Sequence, residues 1–150
     1  VLIVVNIIKV MVRISDIKLI RLLMENSRRP YVELARILGV TEAAVRKRIK
    51  RLEERKVIRR YTIDVDPKKL GYEVVGIIGL DTAPEHYLRV MEDLKKCEEV
   101  VNLYSTSGDH MLIAECWFKN SGQLSEFIKK LEQTEGVKRI CPAIVLEKLK

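Results

Sequence analysis

Two patterns of hydrophobic spacing divide the chain. From about residue 15 to residue 56 the apolar positions recur every three or four residues, as on one side of a helix. Ser15 or Asp16 suits an N-cap, and Ile17, Ile20, Leu23 and Met24 repeat at helical spacing as far as Asn26. Ser27-Arg28-Arg29-Pro30 interrupts the pattern, with Pro30 suited to a helix first turn. A second helix is predicted over Tyr31 to Leu38, ended by Gly39, which takes a left-handed conformation at little cost. Thr41 then caps a third helix over about 42–56. The run VIRRYTIDVDP places strand formers between charges and predicts a strand or β-wing. Asp66-Pro67 and Lys68 to Gly71 complete a linker.

Beyond residue 71 continuous apolar runs alternate with helical spacing. Tyr72 to Leu80 reads as a strand, and Pro84 opens a helix reaching about Lys96. Val100 to Thr106 is a strand, Ser107-Gly108-Asp109 a turn, and Met111 to Phe118 a strand. Asn120-Ser121 caps a helix ended by Gly136, and Val137 to Leu149 is the last strand. The order β-α-β-β-α-β is that of a ferredoxin-like domain, with both helices on one sheet face. Alternation along Val75, Ile77, Leu103, Ile113 and Ile144 predicts apolar residues on both faces, and hence a second copy packing sheet to sheet. The fold class is therefore α+β: a winged helix-turn-helix over 11–60, a strand and linker over 61–71, and a ferredoxin-like domain over 72–150. Residues 1–10 form an apolar extension. They are too short for a membrane span, and read either as a strand or as translation from upstream of a natural start at Met11.

Charge sharpens this division. The formal net charge is +7, yet residues 1–60 hold 16 Lys+Arg against 6 Asp+Glu, while 61–150 hold 12 against 15. The positive excess lies wholly in the helical part, as in a basic nucleic-acid-binding module joined to a mildly acidic one. At 100° per residue, Val45, Ile49 and Leu52 of the third helix form a core-facing stripe. The opposite face carries Ala43, Lys47, Lys50, Arg51 and Glu54, with Arg46 on its flank and Arg48 beside the stripe. Two helices, a Gly-containing turn and a helix rich in Lys and Arg make a helix-turn-helix. Small residues near its start let such a helix sink into a major groove, where basic side chains reach bases and phosphates. Arg28, Arg29, Tyr31 and Thr41 complete the predicted DNA-binding set with Ala43, Arg46, Lys47, Lys50 and Arg51.

Enzyme chemistry finds little support. HExxH, GxSxG, P-loop and GxGxxG patterns do not occur, and neither catalytic nor metal-ligating residues are predicted. Cys97, Cys116 and Cys141 are an odd, widely spaced set, read as small buried hydrophobes in a reducing cytoplasm. His86 is read as a solvated surface residue, His110 as an exposed turn residue and Trp117 as an interface or core residue. An enzyme on the ferredoxin-like scaffold would need a nucleophile–base pair, and Asp109 with His110 alone is thin. An RNA-binding module would need stacked aromatics that this domain does not place.

A helix-turn-helix followed by β-α-β-β-α-β resembles the Lrp/AsnC, or feast/famine, family of transcription regulators. The resemblance runs from about Ser15 to Lys150. It is carried by SDIKLIRLLMENSR, YVELARILGVTEAAVRKRIKRLEERKVIRRYTIDVDPKKLGY, the turn SGDHM and the closing VKRICPAIVLEKL. GVTEAAVRKRIKRLEERKVI and SGDHM are most similar to archaeal members. The resemblance implies a cytoplasmic homodimer that assembles to a higher even oligomer, an octamer above all. It implies pseudo-palindromic double-stranded DNA as one partner and a free amino acid, with no other cofactor, as effector. It further implies an effector pocket lined by Ser107, Gly108, Asp109 and His110 of the turn with Pro142, Ala143 and Ile144 of the last strand. In such a pocket the turn's backbone N–H groups suit an α-carboxylate and Asp109 an α-ammonium.

Overall fold

A computed structural model describes residues 14–150. The apolar extension and Met11 lie outside the described residues. The chain divides at Asp64/Val65 into two compact units, each with its own core.

The first unit consists of α1 (Ile14–Glu25), α2 (Tyr31–Leu38) and α3 (Glu42–Glu54). Leu19 and Leu23 of α1, Leu34 and Ala35 of α2, and Val45, Ile49 and Leu52 of α3 form its buried core. Asp16, one of the two candidate caps, lies inside the first turn of α1 and is buried, and its carboxylate bonds to Arg51 rather than to the helix end. Pro30 is the N-cap of α2 rather than a first-turn residue, its carbonyl accepting the Glu33 and Leu34 N–H groups. Gly39, at φ 64, closes α2 in the left-handed region that its missing Cβ makes inexpensive. Thr41 caps α3, its Oγ1 accepting the Ala44 N–H at 3.1 Å.

Helix α3 ends two residues earlier than the spacing predicts. Lys56 turns the chain at φ 57, and the Val57 and Ile58 N–H groups both reach the Leu52 carbonyl. No strand follows among the described residues up to Asp64, so the predicted wing is corrected. Tyr61 and Ile63 are strand formers but stand exposed, because a strand requires a neighbour for its backbone groups and the described residues of this unit supply none. The Tyr61 hydroxyl instead donates to Glu53 Oε1 at 2.6 Å. Burial and that carboxylate push the phenol up to about 12.

The second unit runs β1 (Val74–Thr82), α4 (Tyr87–Lys96), β2 (Val100–Ser105), β3 (Leu112–Phe118), α5 (Ser121–Glu132) and β4 (Val137–Ile144). The strands form one antiparallel sheet in the order β2-β3-β1-β4. This is the β-α-β-β-α-β arrangement read from the sequence. Ile78, Leu80, Leu112, Ala114, Cys116 and Phe118 form the helix side of the sheet and pack against Val90, Leu94, Phe127 and Leu131. The Phe118 and Phe127 rings lie 5.4 Å apart.

Register sorts the residues of the predicted alternation. Val75, Ile77 and Ile113 lie on the face away from the helices. Leu103 pairs with Ala114 and packs into the core, while Ile144 pairs with Gly76 on the helix side and stays exposed. On the open face the Glu115 carboxylate takes hydrogen bonds from Asn102 at 2.8 Å and from the Trp117 indole at 3.1 Å. Trp117 also packs on Tyr72, with ring centres 5.6 Å apart.

Several boundaries differ from the expected ones. β4 ends at Ile144 rather than Leu149, because β1 begins only at Val74 and offers little beyond one bond from Val145 N–H to the Val75 carbonyl. α5 ends at Glu132, and Gly136 serves the turn into β4 at φ 89. A Cβ at Gly136 would fall 2.2 Å from the His86 Cβ, so His86 packs on this turn and is half-buried rather than freely solvated. Of the cysteines Cys116 is buried, and burial pushes its thiol up to about 12; Cys97 is half-buried and Cys141 exposed. No described helix is long and apolar enough to cross a membrane.

Candidate functional site

The outward face of α3 is the first candidate. Its inward stripe packs as predicted, which leaves Ala43, Arg46, Lys47 and Lys50 exposed. Lys47 and Lys50 have no ion-pair partner among the described residues, so both charges are available to an anion. Arg46 is held on two sides: it pairs with Glu42 Oε1 at 3.0 Å, and its guanidinium carbon lies 4.9 Å from the centre of the Tyr31 ring. Tyr31 therefore supports Arg46 through a cation–π contact.

Two arginines of the predicted set are engaged elsewhere. The Arg51 Nη2 group meets Asp16 Oδ2 at 2.7 Å, and the Asp16 side chain is only 4% exposed. Arg29 pairs with Glu33 at 2.6 Å and Glu25 at 3.4 Å, with its own side chain 19% exposed, and so ties the end of α1 to α2. Arg28 is exposed, its backbone N–H bonded to Asn26 Oδ1. Thr41 serves as the cap of α3.

The second candidate is the turn between β2 and β3. Ser107, Gly108 and Asp109 are exposed, whereas the His110 ring lies against the backbone of Gly79, where a Cβ would come within 2.2 Å of it. Two residues that sequence reasoning missed organise the turn. Asp81, near the end of β1, accepts the Met111 N–H on Oδ1 at 3.0 Å. Its Oδ2 lies 3.1 Å from His110 Nδ1 and 2.8 Å from Arg139 Nε. Arg139, on β4 directly opposite Asp81, sends Nη2 to the Asp109 carbonyl at 2.7 Å and to Asp109 Oδ1 at 3.1 Å. Thr106 Oγ1 donates to the His110 carbonyl, closing the turn from below.

Charge balance follows from these contacts. Burial pushes the Asp81 carboxyl up, but the Met111 N–H, the His110 ring and the Arg139 guanidinium outweigh it and hold the group below the usual carboxylate range. Hydrogen bonds to Asp109 and Asp81 raise Arg139 further. The only sequence signal for Asp81 is a carboxylate closing an otherwise apolar strand, and Arg139 carries none.

Pro142, Ala143 and Ile144 lie elsewhere on β4, opposite Ile78, Ile77 and Gly76. They stand three to five residues along β1 from Asp81, roughly 10–16 Å at the rise of a strand. Within one chain Asp109 and His110 of the turn meet Asp81 and Arg139, whereas residues 142–144 lie farther along β4. No group of three or more potential metal-ligating residues occurs among the described residues.

Comparison with known proteins matches these two units separately. Residues 15–53 match the AsnC-type helix-turn-helix domain, and residues 75–150 match the Lrp/AsnC ligand binding domain. The chain is 48% identical to the HTH-type transcriptional regulator LrpA of Pyrococcus abyssi, over 93% of this chain and all of that protein. It is 47% identical to LrpA of Pyrococcus horikoshii over 88% of this chain and 94% of the relative. Among solved structures, Escherichia coli AsnC superposes with a TM-score of 0.79 at 26% identity, covering 93% of this chain and 95% of that one. A transcriptional regulator of Neisseria meningitidis in complex with L-Met shares the fold, with a TM-score of 0.83 at 22% identity, covering 93% and 92% of the two chains.

Proposed function

The chain belongs to the Lrp/AsnC family of transcription regulators, and from that premise we propose that it binds double-stranded DNA through α3 and adjusts that binding to a free amino acid held at the 107–110 turn. The observation that carries the reading is the pair Lys47 and Lys50, exposed and unpaired among the described residues, on a helix whose other side is locked into a core. Cations in that state can displace the counterions of a phosphate backbone, and Ala43 leaves room for the helix to approach bases. Arg46, raised on Tyr31, is the candidate for a base edge.

The effector reading rests on Asp109. Its carboxylate stands on an exposed turn within the Lrp/AsnC ligand-binding domain, suited to an α-ammonium group. The Neisseria relative, bound to L-Met, lends the amino-acid class. The protein acts as a homodimer that assembles to a higher even oligomer, an octamer by family resemblance. The open sheet face with Val75, Ile77, Ile113 and Trp117 is a surface fitted for a second copy. Contacts between dimers would carry Pro142, Ala143 and Ile144 of one copy to the turn of another. Binding the effector there biases one assembly or DNA geometry, a coupling of about 1–3 kcal/mol. The protein works in the cytoplasm, where its DNA is.

Fluorescence anisotropy with the DNA upstream of its own coding region, in the presence and absence of each of the twenty amino acids, tests the whole reading. Salt-dependent DNA binding that shifts with one or a few amino acids is the expected result. Absence of DNA binding overturns the first half of the proposal, and absence of any amino-acid effect overturns the second.

A further inference from the structure

The segment that stands where a wing was predicted carries charge that the first unit leaves unanswered. Arg55, Lys56, Arg59 and Arg60 are four cations within six residues, all exposed, with no carboxylate among those six. None of the four has a side-chain hydrogen bond or ion pair among the described residues. Basic residues just past a helix end complement its dipole, which accounts for Arg55 and Lys56. Arg59 and Arg60 stand beyond that turn and have no such use. The whole segment also lies past residue 53, where the match to the AsnC-type helix-turn-helix domain ends.

The backbone that carries these two arginines is held at both ends. Before them, the Val57 and Ile58 N–H groups bond to the Leu52 carbonyl and Ile58 packs on the core. After them, the Tyr61 hydroxyl donates to Glu53 Oε1 at 2.6 Å. Less chain entropy is then lost when the arginines are engaged. Their place follows from the helix rise. Arg55 comes 8 residues after Lys47, about 12 Å along a helix axis. The major groove is about 12 Å wide. A helix whose first turns enter the groove at Ala43, Arg46 and Lys47 thus brings its C-terminal end to the groove's edge, where the phosphates run. Building on the reading of α3 as the DNA-binding helix, we infer that Arg59 and Arg60 bind the phosphate backbone of the same duplex just outside the groove that α3 enters. Phosphates supply what the two guanidiniums lack, negative charge and acceptors matched to their forked donors. Because phosphates are alike along a duplex, the contact adds affinity and salt dependence on any sequence and leaves the choice of sequence to α3.

The test uses the full chain and two duplexes of equal length, the DNA upstream of its own coding region and a shuffled sequence of the same composition. Fluorescence anisotropy is titrated at several salt concentrations. The double variant Arg59→Gln with Arg60→Gln is expected to reduce the slope of log affinity against log salt by about two phosphate equivalents on both duplexes. At about 0.1 M salt it should bind each of them about 10- to 100-fold more weakly, by the same factor. The double variant Arg59→Lys with Arg60→Lys is expected to keep the slope. An unchanged slope in the Gln variant, an equal loss in the Lys variant, or a loss confined to the upstream DNA overturns the phosphate contact while leaving α3 as the DNA-binding helix. Failure of the parent protein to bind either duplex overturns the reading of α3 and this inference with it. Modification of arginines by phenylglyoxal, mapped by mass spectrometry on the parent protein with and without the upstream duplex, needs no variant. Bound DNA is expected to protect Arg59 and Arg60, and equal modification in both samples overturns the inference even where the Gln variant does not fold.

Discussion

Arg51 and Asp16 are 35 residues apart in the chain, yet their side chains meet at 2.7 Å, an arginine of α3 drawn back onto the first turn of α1. The pair changes what α3 offers to DNA. A helical wheel places Arg51 on the outward face with Lys47 and Lys50, but its charge neutralises a buried carboxylate instead. The Asp16 Oδ1 atom has no hydrogen-bond partner among the described residues, so Arg51 is the main compensation for that buried charge.

The two partners of this pair should therefore differ under substitution. Arg51→Ala leaves a buried, uncompensated carboxylate and is expected to destabilise the first unit by about 3 kcal/mol. Asp16→Ala frees an arginine whose side chain is already 34% exposed and can turn to water, so its cost is expected to be clearly smaller. Denaturant unfolding of both variants measures the difference. Equal costs, or a larger one for Asp16→Ala, would contradict the arrangement.

Lys47 and Lys50 make the complementary case. With no ion-pair partner among the described residues to lose, the double substitution by Ala should leave the unfolding midpoint nearly unchanged. It should weaken DNA binding and reduce the slope of log affinity against log salt by about two phosphate equivalents. Titrations at several salt concentrations read the slope directly, and a folded double mutant with wild-type affinity would remove α3 from the DNA interface.

The helices and strands were legible because Val45, Ile49 and Leu52 keep a helical period, and because the runs around Ile78 and Ala114 are apolar and bounded by turn residues. The engagement of Arg29 with Glu25 and Glu33 was legible in principle, since both lie four residues away. The Arg51–Asp16 pair required the packing of α1 on α3. The Arg139–Asp81 pair required the register of β4 on β1, across 58 residues. The predicted wing failed for the converse reason: propensity marked Tyr61 and Ile63 as strand formers, but a strand exists only where another strand answers it.

Lys56 offers a stability gain. It occupies the left-handed region at φ 57, where a side chain costs roughly 1–2 kcal/mol and glycine pays mainly in unfolded-state entropy. Lys56→Gly is expected to stabilise the first unit by about 0.5–1 kcal/mol. A rise in the urea midpoint at constant m-value would confirm it. Gly39→Ala, at φ 64 with open space around it, is the control and should destabilise by strain alone.

Acid should act on the second unit through Asp81. Its carboxyl is held below the usual carboxylate range in the folded chain, so the folded state binds a proton less readily than the unfolded one. The stabilisation it provides is complete above the ordinary value of about 3.9 and disappears as the pH falls through the lowered folded value. Asp81→Asn removes the ionised partner of Arg139 and His110 at every pH. The variant should be less stable than the parent at pH 7, and the gap between the two should narrow as the pH drops below about 4. Thermal unfolding of both proteins between pH 2 and 7 measures that gap. A gap independent of pH would mean that the Asp81 charge does not stabilise the turn, and that the Met111 N–H bond alone accounts for its role.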